Sequence, residues 1–342
     1  MTTDRVIAFT AGDGRALNLV HVTNGRTRTR GPVLLVHGAG VRANIFRAPS
    51  GGTIVDALLA EGWDVWLENW RASIDLPRNH WTLDEAAIHD HPAAVRTVLE
   101  QTGAEEVRAI VHCQGSTSFT MAAVAGLLPD VSVVVSNAVS LHPVVNRLAA
   151  AKLRYVMPPT AHVMGYVDPR WGDTGAPGVL PKAILAWVKL THHECTNTVC
   201  RMASFAYGTG EPTLWRHENL NRATHEWLRG EFACVPLSFF TQIGRCVRAG
   251  HLVAAGDRPE LPASLVAGPP RTQARFAFFA GAQNACFTPE SQRRSHAWFA
   301  GHAPERGHAL HVIPDYGHLD VFMGAHAARD VFPTMLEELE RA

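Results

Sequence analysis

The sequence predicts an α/β fold, a mostly parallel, doubly wound sheet interrupted by an inserted helical cap. Three observations carry this. Apolar, β-branched runs alternate with segments of helical periodicity, as parallel strands joined by crossover helices require. Several runs (VLLVHG, VRAIVHC, VSVVVSNAV, RFAFFAG) are apolar without alternation, as expected of strands covered on both faces. From 145 to 265 the strand pattern stops and the chain turns rich in Pro, Trp, His and Arg. The expected division is therefore 1–144 as the first part of the sheet domain, 145–265 as a helical cap, and 266–342 as the second part.

Taken in order, RVIAFT and ALNLVHV read as a leading hairpin, and VLLVHG (33–38) as a buried strand ending in glycine. GGTIVDALLAEG (51–62) carries Ile54, Leu58 and Leu59 at helical spacing before a Gly stop, and WDVWLENW (63–70) is the next strand. LDEAAIHDHPAAVRTVLEQTG (83–103) reads as helical, with Pro92 at a helix start or a kink and Gly103 as the stop. VRAIVHC, VSVVVSNAV and RFAFFAG follow as strands. LHVIPDYGH closes the sheet, and VFMGAHAARDVFPTMLEELERA reads as a C-terminal helix.

Composition narrows the partners. With 342 residues, 46% of them hydrophobic, the chain is long enough to bury a large core. Lys+Arg and Asp+Glu both number 31 with no charged block, which argues against a nucleic-acid or anionic-membrane partner and for a small molecule. The N-terminal stretch MTTDRVIAFTAGDGRA has no apolar run of signal-peptide length, and no later stretch approaches a membrane span. A soluble cytoplasmic protein is expected. Its six cysteines (Cys113, Cys195, Cys200, Cys234, Cys246, Cys286) are then free thiols. Oligomeric state is not legible.

VHCQGS (111–116) sits where a strand turns into a helix. In α/β hydrolases the nucleophile occupies such a turn in a small-x-nucleophile-x-small pattern. Centred on Cys113, the second small position is Gly115 but the first is Val111, which crowds the turn. Shifting the register to Ser116 or Ser118 moves the nucleophile into the helix, so Cys113 is the candidate. VHGAG (36–40), after the first parallel strand, is a loop of the kind that lends one backbone N–H to an oxyanion hole; the residue after the nucleophile lends the other. The donors are thus Ala39 and Gln114. The base is expected near the chain end, and IPDYGHLDVF (313–322) offers His318 in a loop after the last strand.

The segments VLLVHGAG, GWDVWLENWRAS, LDEAAIHDHPAAVRTVLEQTG, VRAIVHCQGSTSF, FFAGAQNACFTP and IPDYGHLDVF together resemble the acid (gastric and lysosomal type) lipases of the α/β-hydrolase fold. Members of that family carry HG, DVWxGNxRG, DxPA, GHSQG, GGNDxxxDP and PxYxHLDF in this order. The likeness runs from about 30 to 335 and is weaker in the cap, where CTNTVC, ENLNRAT and HEWLRGEF look related without an assignable chemistry. It implies that the family's serine is Cys113 here, and that its catalytic aspartate aligns with Asn284. Asp315 and Asp320, beside His318, are the alternatives for that third role, and Asp320 matches the Asp of the family's HLDF stretch.

A thiol needs less activation than a hydroxyl and is able to rest as a thiolate beside a histidine cation. A neutral residue that only orients the imidazole then suffices, as in Cys-His-Asn proteases. Cys113 and Asn284 thus read as linked changes. The expected reaction is attack of Cys113 on an ester or thioester of an apolar acyl group, with an acyl-cysteine intermediate passed to water or another nucleophile. The rival expectation is a non-catalytic small-molecule binding protein that kept the pocket. Tyr166, Trp171, Trp187, Phe205, Tyr207, Trp215, Trp227, Phe239 and Phe240 line an acyl pocket or simply pack the cap. THHEC (191–195) holds metal-capable side chains, but adjacent histidines on a helix point in different directions. Neither a metal nor a cofactor is expected.

Overall fold

In the computed structural model, residues 2–210 and 213–341 are described; 1 and 342, the outermost positions of the expected sheet domain, and 211–212 of the cap lie outside them. The strands are β1 (Thr3–Thr10), β2 (Ala16–Thr23), β3 (Pro32–Val36), β4 (Asp64–Asn69), β5 (Val107–His112), β6 (Val131–Asn137), β7 (Tyr166–Val167), β8 (Val235–Pro236), β9 (Arg275–Gly281) and β10 (Ala309–Ile313). Eight of them form one sheet in the order β1-β2-β4-β3-β5-β6-β9-β10. The leading hairpin pairs antiparallel and joins β4 antiparallel; every other pairing is parallel. β3, β4 and β9 are buried at every residue, which is why their sequences show no alternation.

The helices of the sheet domain's first half are α1 (Ile54–Ala60), α2 (Leu83–Glu85), α3 (His91–Thr102) and α4 (Cys113–Val124). Thr53 and Asp56 form a reciprocal cap at the start of α1, and Gly103 ends α3 at φ 69°. The segment read as one helix over 83–103 contains a π-turn at Ala86–Asp90, directly before Pro92 in the first turn of α3. The wide turn absorbs the amide that proline lacks. It also places Asp90 where its carboxylate takes both the backbone N–H and the guanidinium of Arg71 in a buried pair.

Between β6 and β9 lie α5 (Arg147–Ala151), α6 (Met157–Val163), α7 (Trp171–Thr174), α8 (Val179–Thr191), α9 (Thr198–Tyr207), α10 (Arg222–Trp227) and α11 (Leu237–Ala249). The cap is not wholly helical: β7 and β8 form a two-stranded antiparallel ribbon too short to show a strand pattern. α12 (Pro289–His302) precedes β10. The single C-terminal helix expected from VFMGAHAARDVFPTMLEELERA is three short ones, α13 (Asp320–Met323), α14 (Ala327–Asp330) and α15 (Phe332–Glu340). Gly324 and Pro333 interrupt the periodicity. No helix among the described residues is long and apolar enough to cross a membrane.

Candidate active site

β5 ends at His112, and the next residue, Cys113, opens α4 with φ 56°. A left-handed backbone at a non-glycine residue is strained and is held only where the surroundings over-determine it. Here they do. A Cβ on Gly115 would lie 2.1 Å from the His37 carbonyl oxygen, and one on Gly38 would lie 2.9 Å from Cys113 Cβ, so the first turn of α4 and the loop after β3 are locked face to face. Val111, expected to crowd the turn, is instead accommodated in the sheet interior, in register with Val36 and the small Ser136.

The backbone N–H groups of Gln114 and Ala39 both act on the Cys113 thiol, pulling against the effect of burial, so the two residues expected as oxyanion donors lie beside Cys113. The loop that carries Ala39 is fixed from three sides: the Trp70 indole donates to His37 O at 2.9 Å, Ala233 N to Gly40 O at 3.0 Å, and the Tyr207 hydroxyl to Ala39 O at 2.6 Å. Tyr207 and Ala233 belong to the cap, which therefore helps to build the site.

His318 lies in the loop after β10, with its ring centroid 4.7 Å from that of His112. The Cys113 sulfur and one ring nitrogen each of His112 and His318 fall within 4.8 Å of one another. Asn284, in the loop after β9, reaches His318 Nδ1 with its Nδ2 at 3.1 Å. Its Oδ1 is taken by the backbone N–H of Cys286 at 3.0 Å, which fixes the amide orientation. His318 Nδ1 is thus an acceptor, and the proton of the neutral ring sits on Nε2, which has no partner. Asp320 does not reach the ring: its carboxylate holds Gly317 N and Asn219 Nδ2, tying down the loop. Asp315 is exposed, at φ 63°.

The charge state differs from the expected thiolate and imidazolium. Burial pushes the Cys113 thiol up to about 12, against the opposing pull of the two N–H groups, and pushes His318 down to about 3. Among the described residues no cation reverses this, so both groups rest neutral at physiological pH.

Cys113 and Gln114 line a narrow cleft of about 490 Å³, part of it open to solvent, walled by Leu153, Phe239, Phe240 and Ile243. Of the aromatic residues singled out in the cap, Tyr207, Phe239 and Phe240 belong to this wall. Trp171 and Trp215 are packing, and Trp187 is exposed. Two ionisable lining residues escaped the sequence reading. Cys286 is a second buried thiol in the cleft. Lys152 is half-buried, and its ammonium donates to the carbonyls of Phe205, Ala206 and Gly208, closing the C-terminal end of α9; desolvation lowers it to about 7. All three of its donors are used within the cap.

A further hydrogen-bonded chain lies behind α4. Glu68 Oε1 lies 3.0 Å from His91 Nδ1, and His91 Nε2 lies 2.7 Å from Ser118 Oγ, all three fully buried. The link from Ser118 to His91 has the spacing of a catalytic triad but opens onto no solvent. Among the described residues, Cys195, Cys200, His217 and His225 also converge, in the cap. No signal in any one of the segments that carry them points to them.

A strained elbow after the fifth strand, a glycine-bearing loop after the third and a histidine after the last are the parts of an α/β hydrolase, and a family model described as alpha/beta hydrolase fold matches residues 31–325. The chain belongs to that family. It is 28% identical over 209 residues to the lysosomal acid lipase/cholesteryl ester hydrolase of Homo sapiens, covering 55% of this chain and 50% of that protein. It is 32% identical over 123 residues to lipase member K of Mus musculus, covering 31% of each. The chain thus spans half the length or less of these two relatives. Among solved structures, a thermophilic esterase from Thermogutta terrifontis superposes with a TM-score of 0.57 at 16% identity, over 99% of this chain and 98% of that one. A hydrolase from Pseudomonas aeruginosa PA01 gives 0.58 at 13%, over 98% of both. These two likenesses concern the fold.

Proposed function

We propose that the protein is a cysteine-dependent α/β hydrolase that cleaves an ester or thioester of an apolar acyl group through an acyl-cysteine on Cys113, in the cytoplasm. The observation that carries this reading is the convergence at Cys113: a strained elbow, two backbone donors aimed at its sulfur, and an unpartnered His318 Nε2 close by, all at the wall of an apolar cleft. When a substrate carbonyl displaces the thiol from the N–H groups of Ala39 and Gln114, those donors stabilise the developing oxyanion. Sulfur attacks carbon, its proton leaves through His318 Nε2, and the imidazolium returns that proton to the leaving group. Water, or another nucleophile, then takes the acyl group from sulfur.

His318 accepts the thiol proton only after its own proton moves from Nε2 to Nδ1. That sacrifices the hydrogen bond from Asn284, at about 1–2 kcal/mol, a roughly 5–30-fold slowing. Catalysis is slowed by this, not prevented. The same resting protonation favours the second reading, a binding protein with an intact pocket. Intact-protein mass spectrometry over time, on wild type and Cys113→Ala with a panel of acyl thioesters and aryl esters, tests the proposal. An adduct of one acyl group in wild type alone supports the enzyme. Recovery of unchanged ligand, with neither adduct nor turnover across the panel, supports the binder. The lifetime of the adduct with added alcohols or amines separates hydrolysis from transfer.

A further inference from the structure

We propose that Cys195, Cys200, His217 and His225 bind a structural zinc ion that organises the cap. The four come from four pieces of chain: the loop after α8, the first turn of α9, a single 3₁₀ turn at His217–Asn219, and α10. One ligand atom from each lies within 4.8 Å of the other three. Cys195 Sγ is 3.5 Å from His225 Nε2, and Cys200 Sγ is 3.3 Å from His217 Nε2. A tetrahedral ion with Zn–S of about 2.3 Å and Zn–N of about 2.0–2.1 Å has S···N edges of about 3.5–3.6 Å, so these spacings are those of a coordination tetrahedron. Two separate thiol–imidazole hydrogen bonds account for the two short distances, but nothing in them makes the two pairs converge on one point. A disulfide is not the explanation either, since both thiols are free.

The surroundings are built around the same four residues. The backbone N–H of Asn197 donates to Cys195 Sγ at 3.1 Å. The side chain of Asn197 caps α9 by accepting from Cys200 N at 3.0 Å and donates to His225 O at 2.9 Å. One asparagine thus orients three of the four ligand segments, the outer-shell support that metal sites show. The local structure has little stability of its own: the 3₁₀ turn has three residues and α10 has six, too few to persist without tertiary contacts, and a bound ion would supply one.

The donor set selects the ion. Two thiolates and two imidazoles suit zinc and not magnesium or calcium, and four protein ligands leave no position for a reactive water, so the site is structural. Binding forms two Zn–S and two Zn–N bonds and releases the two thiol protons to solvent, leaving the centre without net charge. The proposal departs from the expectation of no metal at THHEC: its two histidines are not among the four residues, and its cysteine meets His225, 30 positions away. The pattern C-x4-C-x16-H-x7-H spaces its histidines more widely than the usual x3–5 of zinc fingers, so local spacing alone does not reveal it.

The test uses full-length protein without a polyhistidine tag, expressed in zinc-supplemented medium and passed over a desalting column. Elemental analysis is expected to find about one zinc per chain in wild type and in Cys113→Ala, and little in Cys200→Ser or His225→Ala. Protein loaded with Co²⁺ is expected to show tetrahedral d–d bands with sulfur-to-cobalt charge transfer. If the site variants do not fold, the wild-type cobalt spectrum decides, because charge transfer requires thiolate ligands. Reduced wild type that carries no zinc and gives no such spectrum overturns the proposal. So does metal that survives Cys200→Ser but disappears in Cys113→Ala, which would place it at the catalytic centre.

Discussion

Two sets of a hydroxyl or thiol, an imidazole and a third residue meet at α4, and by hydrogen-bond distance the set away from the proposed site is the better formed. Ser118, His91 and Glu68 are linked at 2.7 and 3.0 Å, whereas no hydrogen bond joins Cys113 to His318, and His318 meets Asn284 at 3.1 Å. Ser118 lies mid-helix, and its proton goes to the Gln114 carbonyl at 3.0 Å, so it accepts from His91 instead of surrendering a proton. Cys113 lies at the strained corner, faces two N–H donors and opens onto a cleft. Backbone strain, neighbouring N–H donors and access are the grounds for proposing Cys113 over Ser118, against the evidence of short hydrogen bonds alone. The buried chain serves the site indirectly, by holding the helix whose first turn carries Gln114.

Five measurements break or sharpen this contrast. Cys113→Ala is expected to abolish the acyl adduct and lower turnover by about 10³-fold or more, whereas Ser118→Ala leaves adduct formation within a few-fold of wild type. An adduct that persists in Cys113→Ala and vanishes in Ser118→Ala would reverse the two roles. Next in size is the structural effect. Glu68→Ala leaves His91 without its buried partner and is expected to cost about 3–5 kcal/mol in denaturant unfolding, while Asn284→Ala costs about 1–2 kcal/mol.

A smaller and opposite effect is expected from Asn284→Asp. One carboxylate oxygen keeps the Cys286 N–H while the other accepts from His318 Nδ1, so the ring presents a basic Nε2 to the thiol. Acylation should rise about 5–30-fold, the inverse of the tautomer cost; unchanged or slower acylation would show that Asn284 does not set the proton's position.

The last prediction concerns pH. With the Cys113 thiol pushed up to about 12, iodoacetamide labelling of Cys113, followed by peptide mass spectrometry to separate it from Cys286, should climb about tenfold per pH unit from 6 to 10. A plateau beginning below pH 7 would instead reveal a thiolate–imidazolium pair. Stability runs with the histidines. His37 and His318 are both pushed down to about 3 by burial, so the unfolded chain takes up their protons near the ordinary value of about 6.5 while the folded one does not. Their contribution is complete above about pH 6.5 and is lost as pH falls toward 3, and His318→Gln should flatten that part of the profile.

What the sequence determined by itself was whatever depends on neighbours along the chain. The parallel strands, the elbow at Cys113, the glycine-bearing loop that offers Ala39, and His318 after the last strand are all local patterns, because strand burial and turn sterics act over a few residues. Asn284 was legible only through family resemblance, since one asparagine in a loop carries no pattern. Tertiary structure decided the rest. Glu68, His91 and Ser118 are far apart in sequence and meet because β4, α3 and α4 pack together; Cys195, Cys200, His217 and His225 meet because the cap folds back on itself. The protonation of Cys113 and His318 follows from desolvation at the bottom of a cleft, and the proton on Nε2 from the Cys286 N–H that fixes the Asn284 amide. Dielectric environment and amide orientation are set by atoms distant in the chain, so neither is written in any local stretch of residues.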